Sequence, residues 1–273
     1  MTYQDQLKRH LAHYKTHVLG IAEPGVFRYR GRNVPYEHIL PRALADQNMT
    51  SRARPLLAAH ERSKPHLHRH RYFHHLNSSQ AFAFNLFLPY FDGGEVASAA
   101  LLRALGQSSP LAVWEMEAVP VPEEGTNIDV FWSTTDGVST FCEVKLSEAE
   151  FGRAVHDDRH LEKLSHFYEP VLTGHVDSDL LKPGNFFAAY QIMRNVWHMV
   201  REEGSRLMFL LPKANVRLWT ILEDALSKVG KPTRSRIAAV AIEDVIHRLA
   251  RDSSCPTELR GYAQELERKY VCG

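Results

Sequence analysis

With 273 residues and 44% apolar side chains, the chain is long enough for one large domain, or one domain with an arm, built around a real core. No run of 18 apolar residues occurs, the polar start MTYQDQLKRH has no export-type apolar stretch, and the three cysteines (Cys142, Cys255, Cys272) lack metal-type spacing. These features argue against a membrane span, a secretory leader and a zinc site, and suit a reducing cytoplasm.

The net charge of +1 hides an asymmetry. Residues 1–75 carry thirteen Lys and Arg against five Asp and Glu, a balance of +8 that leaves −7 for the rest, and ten of the sixteen histidines lie there too. The division suggests a basic, His-rich N-terminal extension (1–75) ahead of a more acidic domain (76–273). A basic part would offset the repulsion between an acidic site and a phosphate backbone, although a merely solvated surface would read the same way.

In chain order, Tyr3 to Val18 has the pattern of an amphipathic helix, and Gly20 to Pro41 reads as two short strands around Arg30-Gly31-Arg32. Ala45 to Glu61 is expected to be helical. The run Lys64 to His75 (KPHLHRHRYFHH) alternates His66, His68 and His70, which would share one face of an extended chain. No acidic or cysteine partner lies beside them, so the run is read as touching phosphate or solvent rather than as a metal site. Arg69 and Arg71 are candidate nucleic-acid contacts. Asn77-Ser78-Ser79 opens a buried helix, Gln80 to Leu88, which Pro89 is expected to end. A second helix spans Gly94 to Leu105. Leu111 to Val121 alternates as a strand, with Trp114, Met116 and Ala118 on one face and Glu115 and Glu117 on the other.

The stretch Asn127 to Lys145 carries the chemistry. Two arms rich in β-formers flank Asp136-Gly137, a strong hairpin turn. Residues two apart share a strand face, so Glu143 and Lys145 point together. A three-residue loop, Thr135-Asp136-Gly137, would set Asp129 opposite Glu143, with Cα atoms roughly 4.5–5.5 Å apart. A two-residue turn would instead put Asp129 on the wrong face. Paired carboxylates suit Mg²⁺ or Mn²⁺, and an adjacent ammonium could orient a water or stabilise phosphoryl charge. An exposed ion pair on a sheet face is the plain alternative.

After Lys145, Ser147 and Glu150 form a capping-box pattern that predicts an immediate helix. Helix follows over Leu161 to Leu172 and Phe186 to Glu203, the latter with a polar stripe of Gln191, Arg194, Asn195 and His198. Arg206 to Leu211 and Arg236 to Ile242 read as strands, with helices over Asn215 to Lys228, Glu243 to Arg251 and Pro256 to Tyr270.

Asp129, Glu143 and Lys145 resemble the acid, acid and lysine of the PD-(D/E)xK nuclease superfamily, with Ile128 where that name has proline. EVKLSEAEFG, HILP, SSQAF, EEGTNID and YQIMRN are similar to a largely uncharacterised endonuclease branch of it, over roughly residues 20–210. The resemblance implies a restriction-endonuclease-like α/β fold: an α-β-β-β-α-β core whose mixed central sheet is flanked by helices. The order of elements read from periodicity agrees with it.

The resemblance also implies catalysis by Asp129, Glu143 and Lys145, with Asp129 and Glu143 holding Mg²⁺ or Mn²⁺. Gln80 occupies a position that is often acidic in the superfamily. Glu115 or Glu117 could supply the missing charge, and Gln191 and Arg194 could act on substrate phosphate or behind Lys145. The function so implied is metal-dependent hydrolysis of nucleic acid, DNA more readily than RNA, by an endonuclease of restriction, defence or repair type. A homodimer would suit double-strand cutting. Two other readings remain open: a nuclease-fold module that binds nucleic acid with little or no catalysis, and a small-molecule phosphate-ester hydrolase, which the basic first part disfavours.

Overall fold

The computed structural model describes residues 2–64 and 67–272; His66, one of the alternating histidines, lies outside the described residues. Its helices, in chain order, are α1 (Tyr3–His17), α2 (Ala53–Ser63), α3 (Ser79–Phe91), α4 (Glu95–Ala104), α5 (Asp158–Lys163), α6 (Glu169–Leu172), α7 (Pro183–Ala188), α8 (Tyr190–Val200), α9 (Val216–Ser227), α10 (Lys231–Arg234), α11 (Ile242–Arg251) and α12 (Thr257–Tyr270). The strands are β1 (Gly25–Tyr29), β2 (Arg32–Tyr36), β3 (Leu111–Ala118), β4 (Ile128–Thr134), β5 (Ser139–Val144), β6 (Arg206–Leu211) and β7 (Ile237–Ala241).

β1 and β2 form a separate two-stranded ribbon, while β3-β4-β5-β6-β7 form one sheet in that order. The first three strands are an antiparallel meander, and β5, β6 and β7 run parallel. Parallel neighbours need a crossover, and α5 to α8 supply it between β5 and β6. Each sheet face is covered. Val130, Trp132, Cys142, Val144 and Leu210 pack toward α3, α4, α11 and α12, and Phe141, Leu207, Phe209 and Leu211 toward α7, α8 and α9. This is the restriction-endonuclease-like α-β-β-β-α-β arrangement, with helices on both sides of a mixed sheet.

The boundary drawn at residue 75 does not separate two cores. Leu7, Leu11, Leu40, Met49, Leu57 and Phe73 belong to the same buried cluster as Phe84, Trp132 and Leu266. The charge asymmetry in the sequence is thus one of surface composition, not of folding units.

Four local expectations are corrected. Pro89 does not end α3, which continues to Phe91. A proline cannot donate to the carbonyl four residues back, and here the hydroxyl of Tyr262 donates to that carbonyl of Asn85 at 2.6 Å, so the helix loses little. No helix opens at Ser147. The Glu148 carboxylate accepts from the backbone N–H groups of Leu146 (2.8 Å) and Ser147 (2.9 Å), and Ser147 Oγ accepts from Asn77 Nδ2, so the residues after β5 stay irregular until α5.

The long helix expected over 186–203 is two helices, α7 and α8, meeting at Ala189 (φ −107°, ψ 20°). The break is filled by the chain at 152–154. Gln191 N–H donates to Gly152 O, and Ala154 N–H donates to Phe187 O, replacing the helical bond between Gln191 and Phe187. Finally, residues 42–48 form a 3₁₀ helix separated from α2, not one helix over 45–61.

Candidate active site

The β4–β5 turn has the three-residue form, with Gly137 at φ 82° and Thr134 N–H donating to Val138 O. The register pairs Val130 with Cys142 and Trp132 with Thr140. One further step in that register sets Asp129 level with Glu143. On the other side, Met116 pairs with Val130 and Ala118 with Ile128, which sets Glu117 level with Asp129. Three carboxylates therefore stand in a row across β3, β4 and β5.

Their environments differ. Glu143 is 1% exposed and accepts from three donors: Lys145 Nζ (2.7 Å) and Gln191 Nε2 (2.7 Å) donate to Oε1, and Asn195 Nδ2 (2.8 Å) donates to Oε2. Arg194 Nη2 stands 3.9 Å from Oε2. Gln191, Arg194 and Asn195 reach one carboxylate because they lie on neighbouring turns at the start of α8. Burial opposes ionisation of Glu143, but the charges of Lys145 and Arg194 outweigh it and hold its pKa below the usual carboxylate range. Burial likewise works against the Lys145 ammonium, yet Glu143, Glu148 and Asp129 raise its pKa above the ordinary lysine value, so it remains cationic.

Asp129 is the opposite case. Its Oδ2 accepts from Val144 N–H at 2.7 Å. Burial, then the charge of Glu143, push its pKa well above the ordinary aspartate value, and Glu117 adds to this against the attraction of Lys145. Burial also raises Glu117, opposed by the donors Gln80 Nε2 (2.9 Å) and Asn127 Nδ2 (3.1 Å) on its two oxygens. Glu117 has φ 52°, a left-handed backbone unusual for a glutamate in a strand.

Asp129 and Glu117 open onto a cavity of about 420 Å³, lined also by His70, Tyr72, His75, Gln80 and Glu148. Gln80 is fixed from both ends, because its Oε1 accepts from His70 N–H at 2.7 Å and its Nε2 also donates to His68 O at 3.0 Å. His70, Tyr72 and His75 of the His-rich run thus form part of the cavity wall.

The other candidates fall outside this row. Glu115 is engaged by Lys64 (3.2 Å), farther along β3. Arg69 is clamped to Glu61 (2.5 Å) and to Asp46, and so is committed within the protein. Arg71 is exposed, its guanidinium 4.4 Å from the centre of the Tyr72 ring. Arg194 donates to Asn127 O (3.2 Å) and backs Glu143 from within. His198, the last of the polar stripe, is buried beside Glu124 and Phe141 and does not reach the carboxylate row. Glu148 was not singled out from sequence; its position three residues after Lys145 was the available signal.

Among the described residues, no group of three or more His, Cys, Asp and Glu is placed to hold a metal ion. The donor chemistry nevertheless fits a hard divalent cation. Mg²⁺ keeps several waters and needs only one or two protein carboxylates, and a cation at Asp129 would offset the burial and the repulsion that together raise its pKa. An ionised carboxylate has about four lone-pair directions. Three donors on Glu143 leave room for one more contact.

Over residues 8–271 the chain matches the family model REase-ARP, described as Restriction Endonuclease associating with ARP. The chain belongs to this family. The REase-ARP match runs across the boundary at residue 75, in keeping with the shared core. Neither the curated proteins nor the solved structures gave a match. Among the described residues, no helix is long and apolar enough to cross a membrane.

Proposed function

We propose that this REase-ARP protein is a metal-dependent endonuclease that hydrolyses phosphodiester bonds in DNA, in a restriction, defence or repair setting. The observation that carries this reading is the alignment of Glu117, Asp129 and Glu143 across three strands, with Lys145 donating to Glu143 and the cavity opening at Asp129. Asp129 and Glu143 would hold Mg²⁺ or Mn²⁺. Such an ion supplies charge neutralisation at a phosphoryl group and a water made more acidic.

The protein's own groups account for the rest. Lys145, cationic and held by Glu143, presents N–H donors where negative charge grows on the scissile phosphate as water attacks and the ester oxygen leaves. Gln191 and Asn195 fix Glu143, and through it Lys145, so the ammonium needs no reorientation during the reaction. Gln80 and Asn127 keep Glu117 facing the cavity while adding no charge of their own, which favours one ion over two. The family description pairs the endonuclease with ARP, and the proposal includes a second component on that ground. Cutting both strands would need two copies of the site.

A non-catalytic DNA-holding role is favoured by one observation, the three donors already on Glu143. The two readings separate on supercoiled plasmid with Mg²⁺, Mn²⁺ or EDTA. Nicking or linearisation that needs the metal, and is lost in Asp129→Asn and Lys145→Ala, supports the nuclease. Salt-sensitive binding with no cutting under any metal would sink it in favour of the binding role.

A further inference from the structure

The β1–β2 ribbon has no part in the chemistry above, yet its composition and placement are specific. Its five strand pairs run from Gly25–Tyr36 to Tyr29–Arg32, so Arg30 and Gly31 are the whole turn. Both have positive φ, 47° and 80°, the type I′ geometry that keeps a ribbon twisted. Asn or Gly is the favoured residue at the first of these positions, and an arginine there accepts a less favourable backbone. Arg28, Arg30, Arg32 and Asn33 are all exposed, and Tyr29 is 52% exposed.

The two faces differ. Arg28 and Asn33 pair across the strands, on the face opposite Phe27 and Val34, and line one recess of about 380 Å³ together with Arg42. The other face is anchored. Phe27 packs on Tyr72 (ring centroids 5.4 Å) and His75 (5.7 Å), both of which line the cavity at Asp129. The root is fixed by Gly25, where a Cβ would stand 2.3 Å from Leu40 O, and by Gly25 N–H donating to Ile39 O. Residues 38–40 are tied in turn to 74–76 through Leu40 N–H to His74 O and Leu76 N–H to His38 O. A rigid path therefore joins the ribbon to the wall of the catalytic cavity.

We infer that the β1–β2 ribbon is the duplex-DNA-reading element of this protein, entering the major groove while the cavity faces the phosphate backbone. The inference rests on the nuclease reading for its choice of polymer. The major groove of B-DNA admits a two-stranded ribbon, whereas the narrow, deep major groove of A-form RNA does not. Arg28 and Asn33, side by side, are the side-chain types that contact guanine and adenine edges through paired hydrogen bonds. Arg30, Arg32 and Arg42 supply positive charge for the flanking phosphates. Among the described residues, no ion pair engages any of these four arginines, and although Glu23 lines the recess shared by Arg28 and Arg42, Arg30 and Arg32 stand at the exposed turn with their charge available to a polyanion.

The test is fluorescence anisotropy of the full chain in EDTA on a labelled DNA duplex over a series of salt concentrations. The wild type is compared with Arg28→Ala/Arg30→Ala/Arg32→Ala and with the Lys triple at the same positions, each first checked by thermal melting. The alanine triple should bind roughly 10- to 1,000-fold more weakly, with a log–log salt slope shallower by about 1.8, as the loss of the phosphate contacts of Arg30 and Arg32 removes about 0.9 each. The lysine triple should keep the slope but lose preference among duplex sequences. Unchanged affinity and slope in the alanine triple would overturn the proposal, as would a wild type that binds no DNA duplex or binds an RNA duplex equally well through the same arginines. If the alanine triple cuts plasmid as the wild type does, the ribbon assignment fails and the nuclease stands. If the wild type never cuts but the arginines still govern duplex binding, the nuclease fails and the ribbon stands.

Discussion

Two buried polar regions meet α3 at different turns, and each contains a buried lysine, but the two lysines are held differently. Where α3 packs on α12, Asn85 Oδ1 accepts from Thr50 N–H (2.9 Å) and Thr50 Oγ1 (3.1 Å), and Asn85 Nδ2 donates to Tyr270 Oη (2.7 Å) and Asn48 O (3.0 Å). Lys269 donates to Asn48 Oδ1 at 3.0 Å and to its carbonyl. Among the described residues, no carboxylate is paired with Lys269, and burial lowers its pKa to about 7. At the sheet end, Lys145 sits against Glu143 and is driven the other way. The first region is satisfied hydrogen bonding with little charge, the composition of a structural joint. The second concentrates carboxylates that repel one another around a retained cation, which stability alone does not call for.

The contrast is sharpest on removing the lysine at the sheet end. Lys145→Ala leaves Glu143 buried without its nearest counter-charge, and should cost about 3–5 kcal/mol in denaturant unfolding; a loss below about 1 kcal/mol would show that Arg194 and the amides suffice. At the joint, Asn85→Ala should cost about 1–3 kcal/mol by stranding its former partners, with plasmid cleavage intact in the folded protein. Loss of cleavage there would deny that the two regions have separate duties.

Asp129→Asn should do the reverse: abolish cleavage yet raise the melting temperature by a few degrees, about what 1 kcal/mol gives in a chain this long. It removes a repelled charge but keeps the acceptor for Val144 N–H. A lower melting temperature would mean that the attraction of Lys145 outweighs the burial and repulsion at Asp129.

Lys269→Met gives the smallest effect, read through pH. The folded pKa, about 7, lies below the ordinary lysine value. Below pH 7 the lysine is protonated in both folded and unfolded chains, so the folded protein bears the full cost of the buried charge. From pH 7 up to the unfolded value, the unfolded chain holds a proton that the folded one does not, and the wild type gains stability. The melting temperature of Lys269→Met relative to wild type should therefore be higher at pH 6 than at pH 9. A difference independent of pH would place the charge in contact with an acid.

Much of this was readable in the sequence where local chemistry decides the outcome. Asp136-Gly137 and the alternating arms predict the hairpin but leave a two- or three-residue turn open, and the structure has the three-residue loop that sets Asp129 level with Glu143. What sequence could not show were tertiary substitutions for local rules. Pro89 reads as a helix stop because nothing nearby reveals that the Tyr262 hydroxyl, from α12, will serve Asn85 O. Ser147 reads as a cap until Glu148 takes the amides. Ala189 is an unremarkable helix residue, and the break there exists because residues 152–154 insert their own bonds. Glu117 could be shortlisted by face but not chosen over Glu115, since its tie to Gln80 joins β3 to α3 across 37 positions of chain. Arg69, exposed by composition, was consumed by Glu61 and Asp46 in the fold.

The most direct measurement is calorimetric titration of EDTA-stripped protein with Mn²⁺, wild type against Asp129→Asn, without DNA. The account predicts saturable binding by the wild type, a matching rise in its melting temperature, and loss of both in Asp129→Asn. Equal binding by the two proteins would put the ion elsewhere. Absence of binding by the wild type, with plasmid cleavage unaffected by EDTA, would contradict the carboxylate row as a cation site altogether.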